Sequence, residues 1–205
     1  MPGRNESHRL NLTRRGLLQA AAACALALPS LSRAATDIPA EVLAAMPDAR
    51  LSGSGEFRYF GFLVYRATLW VGPQGLGSRL GETPFALQLR YARSLDGGDI
   101  AARSEEEMRK LDEGSPQQRS AWLAAMQRIF PDVTDGDTLT GVFTPGGDGA
   151  ASAQTRFYFN GKLRGSVPGT AFARAFFAIW LSPHTPAPGL RDDLLAKAFS
   201  AASTP

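Results

Sequence analysis

Few side chains in this 205-residue chain have the types and spacing to do chemistry, and the informative ones are arginines and tyrosines. The histidines are His8 and His184, and the one cysteine is Cys24. No His/Cys cluster has the spacing of a zinc site. No G-x-S-x-G turn presents a serine nucleophile, and a serine triad would have to use His184 from a proline-rich stretch. Asp132, Asp135 and Asp137 lie close together, but Thr134 and Gly136 stand where a calcium loop needs oxygen side chains, so they read as a turn with capping aspartates. Gly146-Gly147-Asp148-Gly149 lacks the lysine and the following helix of a phosphate loop. No metal and no cofactor is expected. What remains is Arg58 and Arg66, set among Phe57, Tyr59, Phe60, Phe62, Tyr65 and Trp70, with Arg90 and Tyr91 further on. A fixed cation and a phenol beside apolar surface can hold an oxygen that carries or gains charge. The competing reading makes Arg58 a rim residue covering aromatic surface, and Tyr65 and Tyr91 sheet or core tyrosines with satisfied hydroxyls.

The elements that position these groups follow from periodicity. Gly53 to Val71 reads as two strand segments bent at Gly61. Counting from Phe57, alternate residues Tyr59, Leu63, Tyr65, Leu69 and Val71 are apolar or aromatic and predict one continuously buried face. Glu56, Arg58 and Arg66 lie on the other face with Phe60, Phe62 and Trp70. Asp37 to Ala49 suits a short helix. Gly72 to Pro84 is a loop, and Phe85 to Arg93 alternates as a strand. Asp96 or Asp99 caps a helix running towards Leu111, with Glu105, Glu106, Glu107, Arg109 and Lys110 on its exposed face. Ser115-Pro116 starts a second helix, apolar at Trp122, Met126 and Ile129 and stopped by Pro131. Strands follow over Asp137 to Thr144 and Thr155 to Phe159, and Asn160-Gly161 turns the chain into Leu163 to Val167. Thr170 to Leu181 is a helix apolar nearly all round, with Phe176, Phe177 and Trp180 read as core, and Leu190 to Phe199 is the last helix. This order predicts an α+β fold on an antiparallel sheet.

Residues 1–34 read as a leader. Thr13-Arg14-Arg15-Gly16-Leu17-Leu18-Gln19 fits a twin-arginine export signal, and Leu17 to Leu28 is too short for a stable membrane anchor. Ser32-Arg33-Ala34 offers a cleavage site after Ala34 or one residue later. Cys24 lacks the branched apolar residue three positions earlier that a lipoprotein would carry. The expectation is a periplasmic domain over residues 35–205, delivered by the twin-arginine machinery and free of cysteine. The formal charge of +3 misleads: of 22 basic and 19 acidic residues, the five arginines and one glutamate of the leader leave 17 and 18. The remaining chain is near neutral, and nothing in its composition argues for nucleic acid or anionic membrane as a partner.

The spacing Gly53-x-Gly55, then Phe60-Gly61, Val64-Tyr65, Ala67 and Leu69-Trp70, resembles the opening hairpin of the chalcone isomerase-like family, closest to its bacterial secreted branch. Ala86 to Tyr91, Ile129 to Val133 with Gly136-Asp137, Phe157 to Gly161 and Ala175 to Pro183 agree with it in order, so the resemblance runs from about Leu51 to Leu195. It implies a chalcone isomerase-like open β-sandwich: a large antiparallel sheet with helices packed on one face, and a ligand cleft between them. In the plant enzymes of this family an arginine on the first strand pair stabilises a developing enolate. In the non-catalytic relatives arginine and tyrosine hold a fatty-acid carboxylate. An ungapped comparison puts Gly55 in the arginine's slot, and Arg58 reaches the role through a shift of three residues. Such an odd shift needs a bulge to keep the side chain on the same face. Tyr65 matches the polar partner's position. The helical tyrosine and asparagine of the plant enzymes have no counterpart over Asp99 to Glu107. The resemblance thus implies a binder of a small apolar or amphipathic carboxylate, a fatty or aromatic acid, with Arg58, Tyr65 and Tyr91 as its binding residues and no catalytic residue assigned. An isomerase of the chalcone–flavanone type is the alternative, and an accessory module presenting exposed aromatics to a partner is a second.

Overall fold

The computed structural model describes residues 37–147 and 152–199. Residues 1–34, where a twin-arginine leader is expected, and part of the glycine-rich loop after Pro145 lie outside the described residues. From Thr36 onward the chain forms one compact unit. Among the described residues no helix is long and apolar enough to cross a membrane.

Six strands form one antiparallel sheet in sequence order. They are β1 (Arg50–Tyr59), β2 (Phe62–Val71), β3 (Phe85–Tyr91), β4 (Thr138–Thr144), β5 (Gln154–Phe159) and β6 (Lys162–Pro168). A short helix α1 (Ala40–Ala45) precedes β1. Helices α2 (Gly97–Lys110) and α3 (Pro116–Ile129) separate β3 from β4, and α4 (Thr170–Leu181) and α5 (Pro188–Leu195) follow β6. The architecture is α+β, an open antiparallel sheet with its long helices on one face.

Local chemistry fixes the helix ends. The Asp96 carboxylate accepts from the amides of Gly98 and Asp99 and starts α2. Ser115 and Gln118 exchange side-chain and backbone bonds in a capping box at the head of α3. Of the three aspartates read as a capped turn, two accept capping bonds. Asp132 accepts from the Gly97 amide, and Asp137 accepts from Thr134 and from the Asn160 side chain.

Two apolar layers result. Leu69, Val71, Phe85, Leu87, Phe143 and Phe157 on the inner sheet face pack against Phe172, Phe176 and Phe177 of α4 and against Leu190 and Leu194 of α5. On the outer face Trp70, Ala86 and Val142 are covered by Val42 of α1 and by Met46, which caps its C-terminus. The outer Trp70 is therefore as buried as its inner neighbours. Gly53 and Gly55 let α5 lie directly on β1, because a Cβ at Gly53 would collide with the Asp193 carbonyl and one at Gly55 with Leu190.

The alternation expected from Phe57 onward breaks at a bulge. Phe57 pairs with Tyr65 and Arg58 with Leu63, so Val64 is the extra residue on β2. Leu63, expected on the buried face, is displaced to the side of Arg58, while Val64 and Tyr65 both reach the helix side. The last helix ends earlier than expected, at Leu195, and Phe199 instead bridges Gly75.

Candidate ligand-binding site

A cavity of about 380 Å³ opens between the inner sheet face and helices α2 and α4. Phe57, Tyr65, Leu89, Tyr91 and Leu139 form its sheet wall. Phe176, Ile179 and Trp180 of α4 form the opposite wall. Helix α2 contributes Ile100, Arg103, Ser104 and Glu107, residues three and four apart and so on one helical face. Tyr59 and Arg93 lie at the cavity's exposed margin. The size falls within the roughly 300–1,000 Å³ common for small-molecule sites.

The aromatic wall is fixed by stacking and one hydrogen bond. Phe57 stacks on Tyr65 with ring centroids 5.0 Å apart, and Tyr65 meets Tyr91 edge-on at 6.1 Å. The Trp180 indole donates to the Tyr65 hydroxyl across 3.0 Å. The Tyr91 hydroxyl makes no hydrogen bond among the described residues, although Tyr91 is only 3% exposed. Burial pushes both phenols well above their ordinary range; at Tyr65 the Trp180 bond opposes that rise and the Glu107 charge adds to it. Both hydroxyls are thus protonated at neutral pH, so Tyr91 has a proton free to donate.

The polar side of the cavity is an ion cluster on α2. Glu107 is 5% exposed, and its Oε1 lies 2.7 Å from Arg103 and 3.2 Å from Lys110. Arg103 also reaches Glu106 at 3.1 Å. The spacing read Glu107 as exposed, but its position four residues after Arg103 turns its carboxylate onto the cavity wall. Arg93 makes no ion pair among the described residues. It lies just past the end of β3, where the chain bends at residues 92–93, and borders the cavity there.

Arg58 is not part of this site. Its Nε and Nη2 donate to Glu56 at 3.1 and 2.8 Å, and its Nη1 donates to the Gly61 carbonyl at 3.1 Å. Arg66 holds the other oxygen of Glu56 at 2.7 Å. The expected pairing of Arg58 with Tyr65 is corrected by the strand's parity. The bulge at this end of the hairpin has its extra residue, Val64, on β2, which leaves the alternation of β1 intact from Phe57 to Tyr59. Phe57 and Tyr59 therefore line the cavity while Arg58, between them, faces outward. Tyr65 and Tyr91 do lie together on the cavity wall. Arg93, Arg103, Glu107 and Trp180 were not singled out from the sequence as binding residues. The helical spacing from Ile100 to Glu107 carried a signal for the α2 residues; Arg93 follows the end of β3 at a bend, which strand alternation does not reveal.

Comparison with known proteins places this geometry. An uncharacterised protein of Haemophilus influenzae is 29% identical over 155 residues, which cover 72% of this chain and 68% of that one. The crystal structure of the Arabidopsis thaliana fatty-acid binding protein superposes with a TM-score of 0.59 at 14% identity, covering 75% of this chain and 91% of that one. At that identity the likeness speaks for the fold, and the six-stranded open sheet with its helical layer is the shared element. The chalcone isomerase-like family model matches residues 32–196, and with the sheet, helices and cavity arranged as described, the chain belongs to the chalcone isomerase-like family.

Proposed function

We propose that the cavity binds a small amphipathic carboxylate, a fatty or aromatic acid, without converting it. The carrying observation is the unpartnered hydroxyl of buried Tyr91 on an apolar aromatic wall, two residues from Arg93. A protonated phenol and a guanidinium without an ion-pair partner suit a carboxylate head, and Phe57, Leu89, Phe176 and Ile179 suit a hydrocarbon or aryl tail. The Arabidopsis structural neighbour is a fatty-acid binding protein, which supports this choice of ligand class. Arg103 is less suited to the head group, because Glu106 and Glu107 already hold its guanidinium.

Titration with a fluorescent undecanoic acid tests the reading. At the exposed margin solvent screens Arg93, so its bond to a carboxylate contributes on the order of 1 kcal/mol or less, and Arg93→Ala is expected to weaken affinity by up to about fivefold. Arg58→Ala leaves affinity unchanged. Absence of saturable binding by the wild type would reject the proposal.

Export to the periplasm is the second part of the proposal, supported by Arg14-Arg15 ahead of a short apolar run. Replacing both arginines with lysine is expected to hold the chain in the cytoplasm with its leader uncut. Delivery of that variant to the periplasm at the wild-type level would reject the twin-arginine route.

A further inference from the structure

We infer that the tip of the β1–β2 hairpin seats on an anionic lipid surface, with the mouth of the cavity beside it. The molecule makes the same two-residue turn twice. Asn160-Gly161 joins β5 to β6 with φ of 47° and 76°, and Phe60-Gly61 joins β1 to β2 with φ of 48° and 82°. Asparagine is the residue this turn favours, because it tolerates the left-handed region. Phenylalanine there is strained and contributes nothing to the turn. Its side chain is not used within the fold either: Phe60 is 85% exposed, Phe62 70% and Tyr59 55%. Three aromatics on a four-residue tip form a compact apolar wedge, with Tyr59 packed edge-on against Phe60 at 4.5 Å.

The charges around the wedge select its partner. Arg58 and Arg66 flank it on the outer face and share the single carboxylate of Glu56, leaving a net positive charge beside the wedge. Arg58 is held at the turn by its bond to the Gly61 carbonyl. Aromatic rings at the headgroup level with arginines beside them are the composition of a membrane-interface anchor. Tyr59 belongs to both the exposed tip and the cavity wall, so a molecule leaving the lipid at the tip meets the cavity directly. This delivery role rests on the ligand proposed above; the lipid contact does not.

The experiment uses the chain from Thr36, a compact unit by itself, which removes the apolar leader as a competing lipid binder. Flotation is measured with vesicles of phosphatidylcholine alone and of phosphatidylcholine mixed with phosphatidylglycerol. Binding is expected to the mixed vesicles and to be weakened at least about tenfold by Phe60→Asn with Phe62→Thr, the scale of removing two rings from an apolar contact. Both positions are exposed, and asparagine restores the residue type of the other hairpin, so the variant keeps the fold. Binding of fluorescent undecanoic acid in solution is expected to be the same in both proteins, which separates failure here from failure of the ligand reading. No flotation of the wild type, equal flotation on neutral vesicles, or an undiminished variant would overturn the inference. Self-association abolished by the variant, without vesicle binding, would overturn it in favour of a second copy of the chain.

Discussion

Trp180 of α4 donates its indole N–H to the hydroxyl of Tyr65 on β2 across 3.0 Å, tying the helical layer to the sheet at the cavity wall. Removing the acceptor leaves a largely buried donor without a partner. Tyr65→Phe is therefore expected to lower stability by about 1–3 kcal/mol. In the double variant with Trp180→Phe both polar atoms are gone, and the coupling should recover part of that loss. Urea unfolding of the four proteins measures it; strictly additive effects would show that the bond contributes nothing.

The two raised phenols make stability sensitive to alkali. Tyr65 and Tyr91 hold their protons in the fold above the ordinary value of 10.0, chiefly because burial disfavours the phenolate. Above that value the unfolded chain loses these protons while the folded chain keeps them, so the unfolded state binds fewer protons and stability falls as pH rises. Below pH 10 this contribution is fully present. Urea midpoints should be level from pH 8 to about 9.5 and fall as pH rises through 10 to 11, and that slope should be shallower in Tyr91→Phe. An unchanged slope in that variant would place the alkaline sensitivity elsewhere.

The Gly53-x-Gly55 word that opened the family resemblance has a packing reason. A Cβ at Gly53 would fall on the Asp193 carbonyl of α5, which is backbone and cannot swing away. Gly53→Ala is expected to cost about 1–3 kcal/mol or more through forced displacement of α5. At roughly 2–4 °C per kcal/mol for a domain of this size, its melting temperature should drop measurably. Gly147→Ala meets nothing within 4 Å and is the control. Equal melting temperatures for the two variants would mean that α5 does not press on β1 in solution.

Local rules carried most of the fold, and long-range geometry decided the site. The Asn160-Gly161 turn, the Ser115-Pro116 start of α3 and the Asp96 cap are read from neighbours in sequence, so strand and helix order follow from residue types. Whether Val64 is an extra residue on β2 depends on pairing with β1, and no single-strand alternation reveals it. That bulge places Tyr65 in the cavity while Arg58 remains outside. Glu107 was hidden for a related reason: a glutamate among charged helix residues reads as solvated, and only the packing of α2 over the sheet buries it. Overall near-neutrality likewise concealed a local excess of positive charge around Phe60.

Cyclisation of a chalcone needs a fixed cation aimed at the oxygen that gains charge, in a site where that cation is not already neutralised. None of the arginines near the cavity meets this need. Arg58 faces outward on Glu56. Arg103 borders the cavity with its guanidinium engaged by Glu106 and Glu107. Arg93 is at the exposed margin, where solvent screens its charge. The phenols of Tyr65 and Tyr91 are protonated and supply no base. The protein is therefore expected to leave the cyclisation of naringenin chalcone at its spontaneous rate, with racemic product by chiral chromatography. An enantiomeric excess that disappears in Arg103→Ala would show that the α2 ion cluster opens to substrate, and would favour an isomerase over the proposed binder.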